Sequence, residues 1–141
     1  MKKMTIGIVL MTFLAGTSLC FADSGIPNLV GTWSLKSDGG VITKGGAPGA
    51  KTHHSGEFST ISGEVVVTKQ QGRVLHGTFT TSKATESFIA VIGMDNKGFF
   101  CADEDGSIDG QIVTKDKINI VYRQVTAADT VAAVGTLTRK K

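Results

Sequence analysis

From Leu29 onward apolar and polar positions alternate in short runs with a period of two, which is the signature of strands with one buried face. In Leu29 to Ser37, Gly31, Trp33 and Leu35 share one face while Thr32 and Ser34 take the other. Val74 to Thr81 sets Leu75, Gly77 and Phe79 against His76 and Thr78, and Lys117 to Val125 aligns Ile118, Ile120 and Tyr122. Two runs are apolar on both faces: Val65-Val66-Val67 and Phe88-Ile89-Ala90-Val91-Ile92. Strand starts fall at Leu29, Gly63, Val74, Thr85, Gly98, Ser107, Lys117 and Thr130, with Glu57 to Thr60 either extending the second strand or forming an edge piece. Turn signals separate them, among them Asp95-Asn96-Lys97-Gly98, where the glycine is expected to supply positive φ. Asp38-Gly39-Gly40 is expected to break the first strand and open a glycine-rich loop running to Gly56. Sequential short hairpins predict an all-β fold, an eight-stranded antiparallel up-and-down β-barrel, since eight strands are about enough for a meander to close and bury its edges. A seven-stranded sandwich would need longer mid-chain connections than the sequence contains.

Before the first strand lies a different pattern. Lys2 and Lys3 precede a nearly unbroken apolar run, Met4 to Leu14, and Cys20-Phe21-Ala22 gives a small-x-small cleavage site before Asp23. This reads as a secretory signal peptide over residues 1–22, too short to span a bilayer, ahead of one barrel domain over 23–141. The expected location is periplasmic or secreted, with no membrane span. Acylation of Cys20 is the competing reading, but Leu19 stands where a lipoprotein signal wants a small residue. Loss of Lys2 and Lys3 lowers the net charge from +3 to +1, and Arg139-Lys140-Lys141 is the one basic cluster that remains, so nucleic-acid binding has no electrostatic footprint. Loss of Cys20 leaves Cys101 without an internal disulfide partner, and Phe99 and Phe100 beside it argue for a buried thiol over an intermolecular link.

Three short motifs resemble the calycins, the avidin- and lipocalin-like small barrels. Gly31-Thr32-Trp33 resembles their first-strand signature, His76-Gly77-Thr78-Phe79 an inner avidin strand, and Val134-Gly135-Thr136-Leu137-Thr138-Arg139 the avidin-type closing strand. The resemblance implies a barrel-closing structural pair in which Arg139 from the last strand covers Trp33 at one end. It stops short of avidin function. Avidins hold biotin with several tryptophans and with polar residues just after the first of them. This chain has one tryptophan, followed by Ser34-Leu35-Lys36-Ser37-Asp38, so biotin is not expected.

Motifs for chemistry are weak. Gly45-Gly46-Ala47-Pro48-Gly49-Ala50-Lys51-Thr52 imitates a phosphate-binding loop, but Ala50 replaces a required glycine and no strand–loop–helix unit surrounds it. His53 and His54 are adjacent, so in a strand they would point to opposite faces and not share an ion. Asp103-Glu104-Asp105-Gly106 with Asp109 has oxygen ligands in number, without the spacing of a calcium loop. No G-x-S-x-G elbow occurs, and Cys101 has no base marked in the sequence. No catalytic residue, metal or cofactor is assigned, and the chain is read as a non-enzyme.

The expected role is binding of a small apolar or amphipathic molecule at the open barrel end, gated by the loop from Gly39 to Gly56. Candidate lining residues are Phe79, Phe99 and Tyr122, with His53, His54 and His76 as polar contacts. The runner-up is a protein-binding inhibitor or interaction module acting on another exported protein, with a filled barrel and the loop as recognition element. A barrel isomerase or cyclase is a third reading and would need a polar cluster inside the barrel. The doubly apolar strands add the expectation of a homo-oligomer or of a covering loop.

Overall fold

The computed structural model describes residues 25–44 and 57–141. The signal segment, the Gly45–Thr52 motif and both His53 and His54 lie outside the described residues. Eight strands follow one another: β1 (Gly31–Thr43), β2 (Phe58–Gln71), β3 (Val74–Thr81), β4 (Thr85–Ile92), β5 (Gly98–Ala102), β6 (Gly106–Thr114), β7 (Lys117–Val125) and β8 (Asp129–Arg139). Each pairs antiparallel with its neighbours in sequence, and β1 pairs with β8, so the sheet closes into an up-and-down barrel with no free edge.

The period-two faces sort as alternation requires. Trp33, Val65, Leu75, Phe88, Phe99, Ile118 and Leu137 point inward and are buried in one apolar cluster. Hairpins are made by local chemistry. The Asp95 carboxylate accepts from the amides of Lys97 and Gly98, each at 2.9 Å, and Asn96 takes the positive φ, 59°. The left-handed residue of that turn is therefore Asn96 and not Gly98. In the β2–β3 turn Gly72 takes φ 58°.

Gly39 and Gly40 do not end β1. Gly39 pairs with Ala133 on one side and Ser59 on the other, and a Cβ on Gly39 would lie 2.5 Å from that of Ala133. The glycine lets two strands approach closely at the barrel wall, and β1 runs on to Thr43. Its partner β2 starts earlier than expected, at Phe58, so Glu57 to Thr60 belongs mainly to the second strand. The connection is correspondingly shorter than the Gly39–Gly56 loop read from sequence.

One end of the barrel is shut. The Arg139 guanidinium lies over the Trp33 ring, 4.2 Å from its centroid. It donates to Val30 O and Asn28 O, both at 2.8 Å, and to Lys115 O at 3.1 Å, and pairs with Asp116 at 3.2 Å. Trp33 Nε1 donates to Leu29 O at 3.1 Å, and Leu29 is fully buried. A single side chain thus ties the segment before β1, the β6–β7 turn and the last strand to the indole. Gly31 has φ 134°, and a Cβ there would sit 3.0 Å from Arg139 Nη1, so any side chain would strain the backbone and crowd the guanidinium.

The outer wall is not uniformly polar. Val74, Val91 and Phe100 stand opposite one another across β3, β4 and β5, and with Ile89 they are each between 39% and 48% exposed. This is the outer face of the doubly apolar run in β4.

Arg139→Ala is expected to cost about 2 kcal/mol of unfolding free energy from the lost cation–π contact and hydrogen bonds. Arg139→Lys should restore less than half of that, because a lysine cannot span three carbonyls. Urea unfolding followed by Trp33 fluorescence measures both, and equal stability of all three proteins would refute the clamp.

Candidate functional site

The half of the barrel nearest Trp33 is solid. The other half is not. A cavity of about 110 Å³ lies between the β3–β4 and β5–β6 turns and the middle of the barrel. Its walls are Leu35 from β1, Ile61 from β2, Phe79 from β3, Ile108 from β6, Ile120 from β7 and Val131 with Ala133 from β8. Small residues on β8, Ala133 and Gly135, leave room on one side, whereas the lower half has Leu137 at the equivalent inward position.

Polar groups gather at the same end. Lys83, Glu86, Asp103 and Tyr122 line the cavity with the apolar residues. The Tyr122 hydroxyl is 2.7 Å from Gln124 Oε1 and 3.4 Å from Asp105 Oδ1. Gln124 Nε2 in turn donates to Asp105 Oδ2 at 3.1 Å and to Asp129 Oδ1 at 3.2 Å, and Thr126 Oγ1 donates to Asp129 Oδ1 at 2.9 Å. Gln124 and Asp129 are both buried, so this network is the polar floor of one side of the open end. A buried carboxylate is tolerated there because hydrogen bonds meet it from two sides. The Tyr122 phenol is held protonated well above its ordinary range, by burial first and then by the negative charges of Asp103, Asp105 and Glu86.

The structure divides the residues singled out from sequence. Phe79 and Tyr122 line the cavity. Phe99 does not: β5 begins at the closed end, so its ring is buried in the solid half, over Gly110. His76 is also no cavity contact. Leu75, Gly77 and Phe79 take the inward positions of β3, which sends His76 to the outer face opposite Ile89. Asp103, Asp105 and Asp109 do not converge as a calcium loop would require. Asp103 Oδ1 accepts from the Gly106 amide at 2.6 Å, while Asp109 is on the wall paired with Arg123. Among the described residues no three His, Cys, Asp or Glu side chains form a metal-binding group.

Lys83, Glu86, Gln124 and Asp129 were missed, and Asp103 was weighed only as part of an acidic turn and not as a cavity residue. For two of them the signal was present: Glu86 is two residues before inward Phe88, and Gln124 two after inward Tyr122, so each continues an inward register. The turn residues Lys83 and Asp103 carried no such mark.

No protein-family model and no curated protein matches the chain. Among solved structures, a redesigned β-barrel is 12% identical over 80% of this chain and 92% of its own, with a TM-score of 0.46. A second redesigned barrel, bound to DFHBI, is 14% identical over 79% of this chain and 98% of its own, with a TM-score of 0.45. The S-type phycobiliprotein lyase of Guillardia theta is 13% identical over 79% and 88%, with a TM-score of 0.33. These are similarities between small barrels. None assigns a ligand.

Cys101 lies inside the barrel, 5% exposed, and burial followed by the charge of Asp103 pushes its thiol up to about 12 from an ordinary value of 9.0. The unfolded thiol ionises at lower pH than the native one, so its contribution to stability is whole below about pH 9 and is lost as pH rises toward 12. The slope of unfolding free energy against pH above 9 should therefore be shallower in Cys101→Ala than in the parent, with native Cys101 slow to react with thiol reagents at pH 8. Identical slopes, or rapid labelling without unfolding, would contradict this placement.

Proposed function

We propose that the protein is an exported barrel that binds a small apolar or amphipathic molecule in its open half, without catalysis. The observation that carries the reading is the asymmetry of the interior. Eight strands can be filled completely by their own side chains, and in this barrel the lower half is filled while the upper half keeps a cavity with apolar walls. A dry cavity of about 150 Å³ accepts benzene in an engineered protein. A space of about 110 Å³ admits one small ring or a short branched alkyl end, with the rest of a longer molecule outside the mouth.

The isomerase or cyclase alternative gains a polar cluster at Tyr122, to which His76, on the outer face of β3, does not belong. That cluster is internally satisfied and its phenol is held neutral, which suits a fixed wall better than a proton donor or acceptor working near neutral pH. The filled-barrel inhibitor reading is disfavoured by the cavity. Export rests on the signal-peptide pattern of residues 1–22. The homo-oligomer expectation retains one support, the outer stripe of Val74, Ile89, Val91 and Phe100, to which a second copy of the same stripe offers an apolar match.

Titration with benzyl alcohol, followed by methyl shifts, should move Leu35, Ile61, Ile108, Ile120 and Val131 saturably and leave Leu75 and Ile118 in place. Ile61→Trp, which fills the cavity from a half-buried wall position, should abolish the shifts while retaining cooperative unfolding. Shifts spread over the whole barrel, or unaltered in Ile61→Trp, would refute a site in the open half. For the outer stripe, sedimentation should show association that Ile89→Ser with Phe100→Ser removes, and a clean monomer at high concentration would end that expectation.

A further inference from the structure

Two aromatic rings border the cavity, and both are held back against the wall. Phe79 comes from β3 and Tyr122 from β7, four strands apart in a closed barrel of eight, so they stand on opposite sides. The Phe79 ring packs on Phe88, with centroids 4.7 Å apart and planes tilted by 44°. Phe88 in turn lies over Gly77, where a Cβ would come within 2.5 Å of its ring. On the far wall the outer edge of the Tyr122 ring rests on Gly106. A Cβ there would lie 2.5 Å from Cε2 and 2.6 Å from the hydroxyl oxygen.

The two glycines are not equivalent. A Cβ on Gly77 would also strike Val66 O at 2.2 Å, so backbone closes that position. At Gly106 the three nearest atoms all belong to the far end of Tyr122, a side chain that can turn, and φ lies outside the left-handed region. Gly106 and Ile108 are successive inward positions of β6. Tyr122 pairs with Ile108, so its ring reaches diagonally to the glycine. Its hydroxyl, 2.7 Å from Gln124 Oε1, holds it there. The phenol thus lies along the wall, resting on bare backbone and bordering the cavity.

We propose that Tyr122, parked on Gly106, sets the size of the molecule that the cavity admits: one ring, and not a fused pair. This rests on reading the cavity as a ligand site and adds the element that selects among ligands. With the ring against the wall, about 110 Å³ stands open, enough for one small ring. Swung off the glycine, the same phenol would occupy that space. Removed altogether, it would enlarge the cavity by the volume of another six-membered ring. A ligand one ring too large must push the walls apart, and in a close-packed interior that costs affinity.

Benzyl alcohol and naphthalenemethanol carry the same hydroxymethyl group on one ring or on two, and they separate the cases. The unaltered protein should bind benzyl alcohol about tenfold more tightly than the naphthyl compound. Tyr122→Ala should reverse that preference. Gly106→Ala should weaken benzyl alcohol about tenfold by turning the ring into the cavity, and Gly106→Ala with Tyr122→Ala should regain it. A purely structural tyrosine would change stability without moving the ratio of the two affinities. Should Tyr122→Ala not fold, Tyr122→Leu gives the same comparison. An unchanged preference on loss of the ring, or full binding in Gly106→Ala, overturns the size limit and leaves the cavity as a binding site. Absence of saturable binding of either probe, by parent and variants alike, overturns both.

Discussion

The contact between Arg139 and Trp33 decides how this barrel is divided. A closed meander of eight strands has two ends, and a 141-residue chain has little to cover them with. Here one end is covered by an indole, the indole by a guanidinium, and the guanidinium by three backbone carbonyls. Because the partners are Asn28, Val30 and Lys115, the clamp joins the start, the end and a distant hairpin of the chain. Large inward side chains crowd towards that end, and the core is built there. Towards the other end small and polar residues such as Ser37, Thr81, Ala84 and Ala133 stand among the large apolar ones, and a cavity remains.

Much of this was legible in the sequence because alternation is a local signal. All eight strands can be placed by it, and the inward faces of β3 and β7 read correctly from Leu75, Gly77 and Phe79 and from Ile118, Ile120 and Tyr122. The pair Trp33 and Arg139 came from resemblance, and a contact at 4.2 Å between residues over a hundred positions apart has no local trace. Gly39 and Gly40 misled for a physical reason: a glycine pair marks a turn in isolation, but here it marks a tight strand approach to Ala133. Depth along the barrel axis was equally hidden. Alternation says that Phe79 and Phe99 both face inward and cannot say that one borders the cavity and the other is buried in the solid half.

The polar end shows the same limit. Glu86 and Gln124 continue inward registers and could be read as interior polar groups, but their meeting with Asp103, Asp105 and Asp129 depends on which hairpins share a barrel end. Closure supplies that information: odd and even turns collect at opposite ends, so the β3–β4, β5–β6 and β7–β8 turns come together over the cavity. The polar groups of the site thus come from turns and from the strand ends beside them, while the apolar walls come from further along the strands.

The most direct test of a half-filled barrel with an occupied upper chamber is native mass spectrometry of the chain recovered from the cells that produce it. The account predicts a small excess mass that leaves on unfolding and is missing from Ile61→Trp prepared in the same way. A bare mass for the unaltered chain, or an excess that persists with the chamber filled by tryptophan, would contradict it.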